Sequence, residues 1–262
     1  MRRQLILALA VTVAQEAPPV DAYHMQLVDS LREEGLLADV TFVTTNYDTL
    51  LDDAVDARGV LQERGTGSLV DYGFSGLMES SGDPLEDQHQ FTVLKIHGSL
   101  NWLYCPVCDI LDITYASNGV TRLVDEPEDA LCSNCEALRT PVIVPPSYYK
   151  NMSSVHLATV WGRSYKALKE ADQLVFCGYS FPDADMHVKY LVKRAQLNRD
   201  ALVRPLKAVL VNHHPTKAAD TASLERGRFT RFLGEAEVID TGLSFQQFAA
   251  APNRIIDDVA RS

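Results

Sequence analysis

Apolar residues along the chain fall into two kinds of run. Val40–Thr45, Phe91–Ile96, Val142–Val144, Leu174–Cys177, Ala208–Val211 and Glu237–Ile239 are short, β-rich and mostly uninterrupted by charge. Such runs predict strands covered on both faces, as in a parallel sheet. Between them, apolar positions recur at helical spacing and predict helices over Ala22–Glu34, Thr49–Ala57, Val155–Glu170, Met186–Gln196, Ala218–Phe232 and Phe245–Val259. Strand alternating with helix implies an α/β fold, a Rossmann-like doubly wound parallel sheet. Gly65–Gln90 is rich in Gly, Ser and acidic residues and predicts a loop-rich insertion over one edge.

The strand ends change the picture. Val40–Thr45 gives way to Asn46 and Asp48, and Phe91–Ile96 to His97 in the stretch HGSLNW. Leu174–Cys177 gives way to Gly178-Tyr179-Ser180, and Ala208–Val211 to Asn212 in NHHP. In open α/β sheets ligands bind beyond the carboxyl ends of the strands. A parallel arrangement therefore predicts that these clusters share one rim, the seat of a nucleotide-sized ligand. Each cluster also has a plainer reading. Asn46 and Asp48 can cap the following helix, and His97-Gly98 and NHHP can be turns.

The cysteines add a second chemistry. Cys105-x2-Cys108 and Cys132-x2-Cys135 are two CxxC pairs with a 23-residue spacer. Four thiolates form the tetrahedral set of a structural Zn2+ and leave no open position for catalysis. The alternative is a pair of redox motifs, although nothing nearby follows the thioredoxin pattern. Cys177, in a predicted buried strand, reads as a small core residue. This usage fits metal binding in a reducing compartment, hence a cytoplasmic protein, rather than a disulfide framework.

Composition sets the bounds. The chain has 262 residues, 46% of them hydrophobic, enough for one domain with an insertion or two small ones. The net charge of −11 argues against a nonspecific nucleic-acid binder, whose affinity rests on clustered Lys and Arg. It leaves room for a pocket that holds one small anion. Residues 1–17, with two arginines before the apolar stretch Leu5–Ala14, resemble a short signal peptide; Leu5, Leu9 and Val13 equally suit a buried helix. No other stretch is long and apolar enough to predict a membrane span.

Taken in order, these segments resemble the sirtuin family of NAD-dependent enzymes. TTNYD (44–48) is similar to that family's TQNID segment, and KIHGSLNWLYC (95–105) to the stretch that holds its catalytic histidine and leads into its zinc module. The two CxxC pairs match the zinc ligands, VFCGYS (175–180) resembles the strand-plus-GTS segment, and LVNHHP (210–215) resembles the segment at the adenosine end. TTNYD, HGSLNW and GYS are closer still to a bacterial branch often found in antiviral defence.

The resemblance implies roles. His97 is the expected base on the ribose next to nicotinamide, with Thr45, Asn46 and Asp48 around that ribose and the nicotinamide amide. Gly178 and Ser180 are expected at a phosphate or the adenine ribose, and Asn212 at the adenosine ribose. Cys105, Cys108, Cys132 and Cys135 are the expected zinc ligands. The implied organisation is a Rossmann-like NAD-binding domain over 1–104 and 136–262, with a zinc-binding module over 105–135. The implied reaction cleaves the nicotinamide–ribose bond of NAD, with water or an acylated lysine of a protein substrate as acceptor; a member that binds NAD without turnover is the third reading. Two departures stand out. Before residue 40 the only glycine is Gly35, so the family's first glycine-rich βα unit is expected to be missing. IVPPSYYKN follows the zinc module where the family carries a segment that pairs with a peptide substrate.

Overall fold

The computed structural model describes residues 22–57, 70–74, 91–113, 120, 123, 130–144, 154–199, 206–213, 218–234 and 236–255. In chain order its principal elements are α1 (Ala22–Glu33), β1 (Thr41–Thr44), α2 (Leu50–Ala57), β2 (Val70–Asp71), β3 (Phe91–Lys95), β4 (Gly98–Tyr104), β5 (Leu111–Ile113), β6 (Thr140–Ile143), α3 (Val155–Glu170), β7 (Gln173–Cys177), α4 (Met186–Leu197), β8 (Lys207–Val211), α5 (Ala219–Leu233), β9 (Glu237–Asp240) and α6 (Phe245–Ala250). This is the α/β class, with parallel sheets, that the strand–helix alternation predicts. The chain divides into two compact units, one containing Ala38–Gly162 and the other combining Ala22–Leu37 with Arg163–Ser262.

The first unit holds two sheets. One is parallel, in the order β1-β3-β2, with Thr41 opposite Thr92 and Thr44 opposite Lys95. The short β2 and the three residues after it lie within the stretch expected to be loop; 65–69 and 75–90 fall outside the described residues. The other sheet is antiparallel, in the order β5-β4-β6. Here the structure corrects two expectations. GSLNW is not a cluster beyond a strand end but the start of β4, with His97 in the turn before it and Ser99 and Asn101 buried along with the apolar residues. Val142–Val144 belongs to an antiparallel ribbon rather than to the parallel sheet, because β6 pairs with β4 and the Val144 N–H donates to the His97 carbonyl at 2.8 Å. A short apolar run shows burial but not the direction of its partner.

Packing explains why β4 forms. Leu100 and Leu103 meet Val120 and Ile143 in one cluster, with Tyr47 against it. Trp102, fully buried, takes Tyr72 and Phe74 edge-on at 5.3 and 5.0 Å between ring centres. The switch from β3 into β4 occurs at Gly98, whose φ is +86°. A Cβ there would stand 1.9 Å from the Val142 carbonyl oxygen.

The second unit is a βαβαβ arrangement of the Rossmann type, β7-α4-β8-α5-β9, with all pairs parallel and Gln173 opposite Lys207 through Cys177 opposite Val211. The central strand β8 is the most buried, as its uninterrupted apolar run requires. Phe181, Val192, Ala208, Leu210, Phe229 and Leu233 form the core. Helix α1 packs on α6: the Ser30 hydroxyl donates to the Ala249 carbonyl at 3.0 Å, and His24 lies 4.9 Å from Phe245. Ser244 and Gln247 close a capping box on α6. Cys177, expected in the core, is exposed at the end of β7. Among the described residues no helix is long and apolar enough to cross a membrane.

Gly98→Ala should destabilise the first unit by about 3 kcal/mol or more, from the unfavourable φ and the overlap with main chain. Gly162→Ala, in α3 with nothing within 4 Å of the new methyl, should instead stabilise by about 0.5–1 kcal/mol. Paired denaturant titrations of the two variants check both signs.

Candidate functional site

Within the first unit, the end of β1 and the end of β3 are adjacent by register, and the segments beyond them are tied together. The Ile96 N–H donates to the Thr44 carbonyl at 3.1 Å, and the Leu100 N–H donates to the Tyr47 carbonyl at 2.9 Å. The Tyr47 hydroxyl donates to the Val144 carbonyl at 2.5 Å. His97 is buried, and its ring centre lies 6.4 Å from that of Tyr47. Trp161 of α3 fixes the peptide just before it by donating to the Ile96 carbonyl at 2.7 Å. The structure thus brings Thr45, Asn46, Asp48 and His97 into one neighbourhood.

Local capping shapes that loop. The Asn46 N–H donates to the Thr44 hydroxyl at 3.0 Å, and the Leu50 N–H to Asp48 Oδ1 at 3.2 Å. Asp48 therefore serves the start of α2, the plain role its position allows, while the Asn46 residue stays exposed. One feature of the neighbourhood was missed from sequence. Lys95, 1% exposed, donates to Asp52 Oδ2 at 2.9 Å and to the main-chain carbonyl of Asp48. The available signal was a lysine inside the apolar run FTVLKI.

The four cysteines gather at the outer end of β4. Their sulfurs lie within 4.8 Å of one another, and Cys105 and Cys135 are 3.5 Å apart. A tetrahedral zinc with 2.3 Å bonds needs sulfur separations of about 3.8 Å, so the set fits. Both CxxC turns share one backbone form. The first cysteine of each donates its N–H five residues on, Cys105 to the Ile110 carbonyl at 2.9 Å and Cys132 to the Ala137 carbonyl at 2.8 Å. The residue after each second cysteine is left-handed, Asp109 at +57° and Glu136 at +58°. Such non-glycine positions cost on the order of 1 kcal/mol and persist only where the surroundings enforce them. The Cys108 N–H points to Cys105 Sγ at 3.5 Å, and the Asn134 amide points to Cys108 Sγ at 3.3 Å.

The thiols respond to this crowding. Backbone N–H groups of Asn134 and then Cys135 hold the Cys132 thiol down, to about 7. The Cys108 thiol beside it pushes Cys135 up to about 12. Four thiols this close share protons unless a cation takes their place. Nearby, Tyr104 donates its hydroxyl to Asp109, which raises the phenol to about 12, with burial adding to the effect. His156 bonds the Asp109 carbonyl at 2.9 Å and so ties the first turn to α3.

In the second unit, Gly178, Ser180 and Asn212 also come together. The Asn212 amide donates to the Tyr179 carbonyl at 2.6 Å, and the Gly178 N–H donates to the Val211 carbonyl at 3.2 Å. Gly178 at φ +64° and Phe181 at +56° bracket Tyr179-Ser180. The Tyr179 hydroxyl donates to Asp185 at 3.3 Å, and burial, with that carboxylate, pushes the phenol well above its usual range. His214 and Pro215 lie outside the described residues.

No curated protein matches the chain. A crystal structure described as SIR2 in complex with the inhibitor EX-527, 2'-O-acetyl-ADP-ribose and deacetylated p53-peptide aligns over 96% of this chain and 76% of that one, at 17% identity and a TM-score of 0.45. The family profile described as the SIR2-like domain runs over residues 40–233, from the edge of β1 to the end of α5, and takes in both loop clusters and all four cysteines. That span is well over half of the sequence, and the chain belongs to the SIR2-like domain family.

Proposed function

We propose that this protein cleaves the nicotinamide–ribose bond of NAD with water as acceptor, giving nicotinamide, ADP-ribose and a proton. Family membership supports sirtuin-type, NAD-dependent chemistry. The observation that carries the reading is the junction of His97 with the Asn46–Asp48 loop, held by the Leu100–Tyr47 and Ile96–Thr44 hydrogen bonds. As nicotinamide departs with the bonding electron pair, the ribose gains oxocarbenium character. In this reading His97 draws a proton from a ribose hydroxyl and the Asp48 carboxylate faces the developing positive charge, both of which lower the barrier. Thr45 and Asn46 orient the ribose and the nicotinamide amide. The family resemblance assigns the phosphate and adenosine side to Gly178, Ser180 and Asn212.

The preference for water over an acyl-lysine acceptor comes from IVPPSYYKN, which stands where sirtuins carry the peptide-pairing segment. The resemblance of TTNYD, HGSLNW and GYS to a bacterial branch often found in antiviral defence supports such a setting. Cys105, Cys108, Cys132 and Cys135 hold one structural zinc, whose binding adds folding free energy to the module over 105–135. Thiolate ligation suits a reducing, cytoplasmic location.

Incubation of the purified protein with NAD alone decides the reaction class. Nicotinamide release without peptide supports hydrolysis; release only with an acylated peptide supports deacylation; no release from folded protein overturns turnover altogether. His97→Ala should lower release by about two to four decades, the usual worth of a positioned general base, while zinc content stays the same. A fully active His97→Ala variant would remove the mechanism.

Metal analysis should return about one zinc per chain. Cys108→Ser combined with Cys132→Ser should lower that content and the melting temperature together, because ligand loss removes binding energy that is also folding energy. Full zinc retention by that double variant would sink the assignment.

A further inference from the structure

Lys95 and Asp52 form a buried ion pair that stability alone does not explain. The two residues are 1% and 2% exposed, and Nζ lies 2.9 Å from Oδ2. The other carboxylate oxygen, Asp52 Oδ1, is buried with no hydrogen-bond partner among the described residues. Taking two charges out of water and leaving one acceptor unmet is a poor way to stabilise a core, and a well-packed apolar pair of similar volume often does as well or better.

What the pair does is directional. The Lys95 ammonium also donates to the Asp48 main-chain carbonyl, so one cation at the end of β3 grips both the Asn46–Asp48 loop and the first turn of α2. Tyr47 has its own anchors in Leu100, Ser99 and Val144. Those anchors fix the residue before Asp48; the tie to the Asp48 carbonyl itself comes from Lys95. The lysine stands two residues before His97 on the same stretch of chain. Moving its ammonium would therefore change the placement of the Asp48 carboxylate relative to the imidazole.

We propose that Lys95, neutralised by Asp52, is a positioning residue that holds the Asp48 loop in register with His97. The proposal rests on the reading of that junction as the site of NAD cleavage. It assigns Lys95 no contact with substrate.

The test uses the full chain carrying Lys95→Met with Asp52→Leu, which removes both charges and keeps the volume. The expected result is a melting temperature near that of the unchanged protein, a KM for NAD within about twofold, and kcat for nicotinamide release lowered about ten- to a hundredfold, the scale of a small misplacement of reacting groups. Hydrogen exchange gives a readout independent of activity. The Leu50 amide, which donates to Asp48 Oδ1, should exchange about tenfold faster, while the Leu100 amide, held by Tyr47, stays protected. A folded double variant with unchanged kcat and unchanged Leu50 exchange would overturn the proposal. If that variant does not fold, Asp52→Asn removes only the counter-charge and is read by the same two criteria. If the unchanged protein releases no nicotinamide, the cleavage reading fails, and the exchange of Leu50 alone decides whether Lys95 positions the loop.

Discussion

The approach of Gly98 to the Val142 carbonyl is the constraint on which the first unit depends. At φ +86° and with main chain in the space of a side chain, the position admits only glycine. That single allowance lets the chain leave the parallel sheet at Lys95 and enter the antiparallel sheet at Gly98 within two residues. His97 sits in the gap, its carbonyl taken by Val144 and its ring beside Tyr47. A wider connection would have left the imidazole on a loop. Instead it is set by two sheets at once, which is how a site attains fixed geometry without relying on loop stiffness.

The same junction explains what the sequence showed and what it concealed. The six predicted strands and the first five predicted helices correspond to observed elements, because β-branched runs and helical spacing report burial directly; of the sixth, predicted over Phe245–Val259, the structure shows Phe245–Ala250 and a break at Ala251, and 256–259 lie outside the described residues. The strand β4 was not legible: HGSLNW alternates small, polar and aromatic residues, and its burial depends on Tyr72, Phe74, Val120 and Ile143, all distant in sequence. The pairing direction of β6 was hidden for the same reason. The cysteine cluster was legible because CxxC spacing encodes its own geometry. Lys95 was not, since a lysine in an apolar run shows neither its partner nor its burial until Asp52 and the Asp48 carbonyl are placed around it.

The cysteine cluster shows how repetition at the level of backbone can arise without repetition of sequence. CPVCD and CSNCE share only the cysteines and a final acidic residue, yet both adopt the same turn, closed by a bond from the first cysteine to the fifth residue beyond. In each the left-handed position falls on an acidic side chain, Asp109 or Glu136. Aspartate tolerates that region better than glutamate. Asp109 is further secured by the Tyr104 hydroxyl and by His156 on its carbonyl. The two turns are thus alike in shape but unequal in support, the first being bound into β4 and α3.

The second unit meets a comparable demand by different means. Its loop Gly178–Phe181 also needs two left-handed residues, but only one is glycine. A phenylalanine with φ +56° is an unfavourable conformer that nothing local would keep. Phe181 is retained there by aromatic packing. It is 1% exposed and lies 4.7 Å from Phe229, 4.7 Å from Phe232 and 5.6 Å from Tyr179 between ring centres, with the Lys189 ammonium 5.5 Å over its face. Burial of so large a side chain contributes on the order of 2–3 kcal/mol, enough to offset the backbone cost. The consequence reaches the loop itself: with Phe181 anchored below and Asn212 holding the Tyr179 carbonyl from the neighbouring strand, Ser180 has little freedom to move. One unit fixes its polar residues by removing a side chain at Gly98, the other by burying one at Phe181.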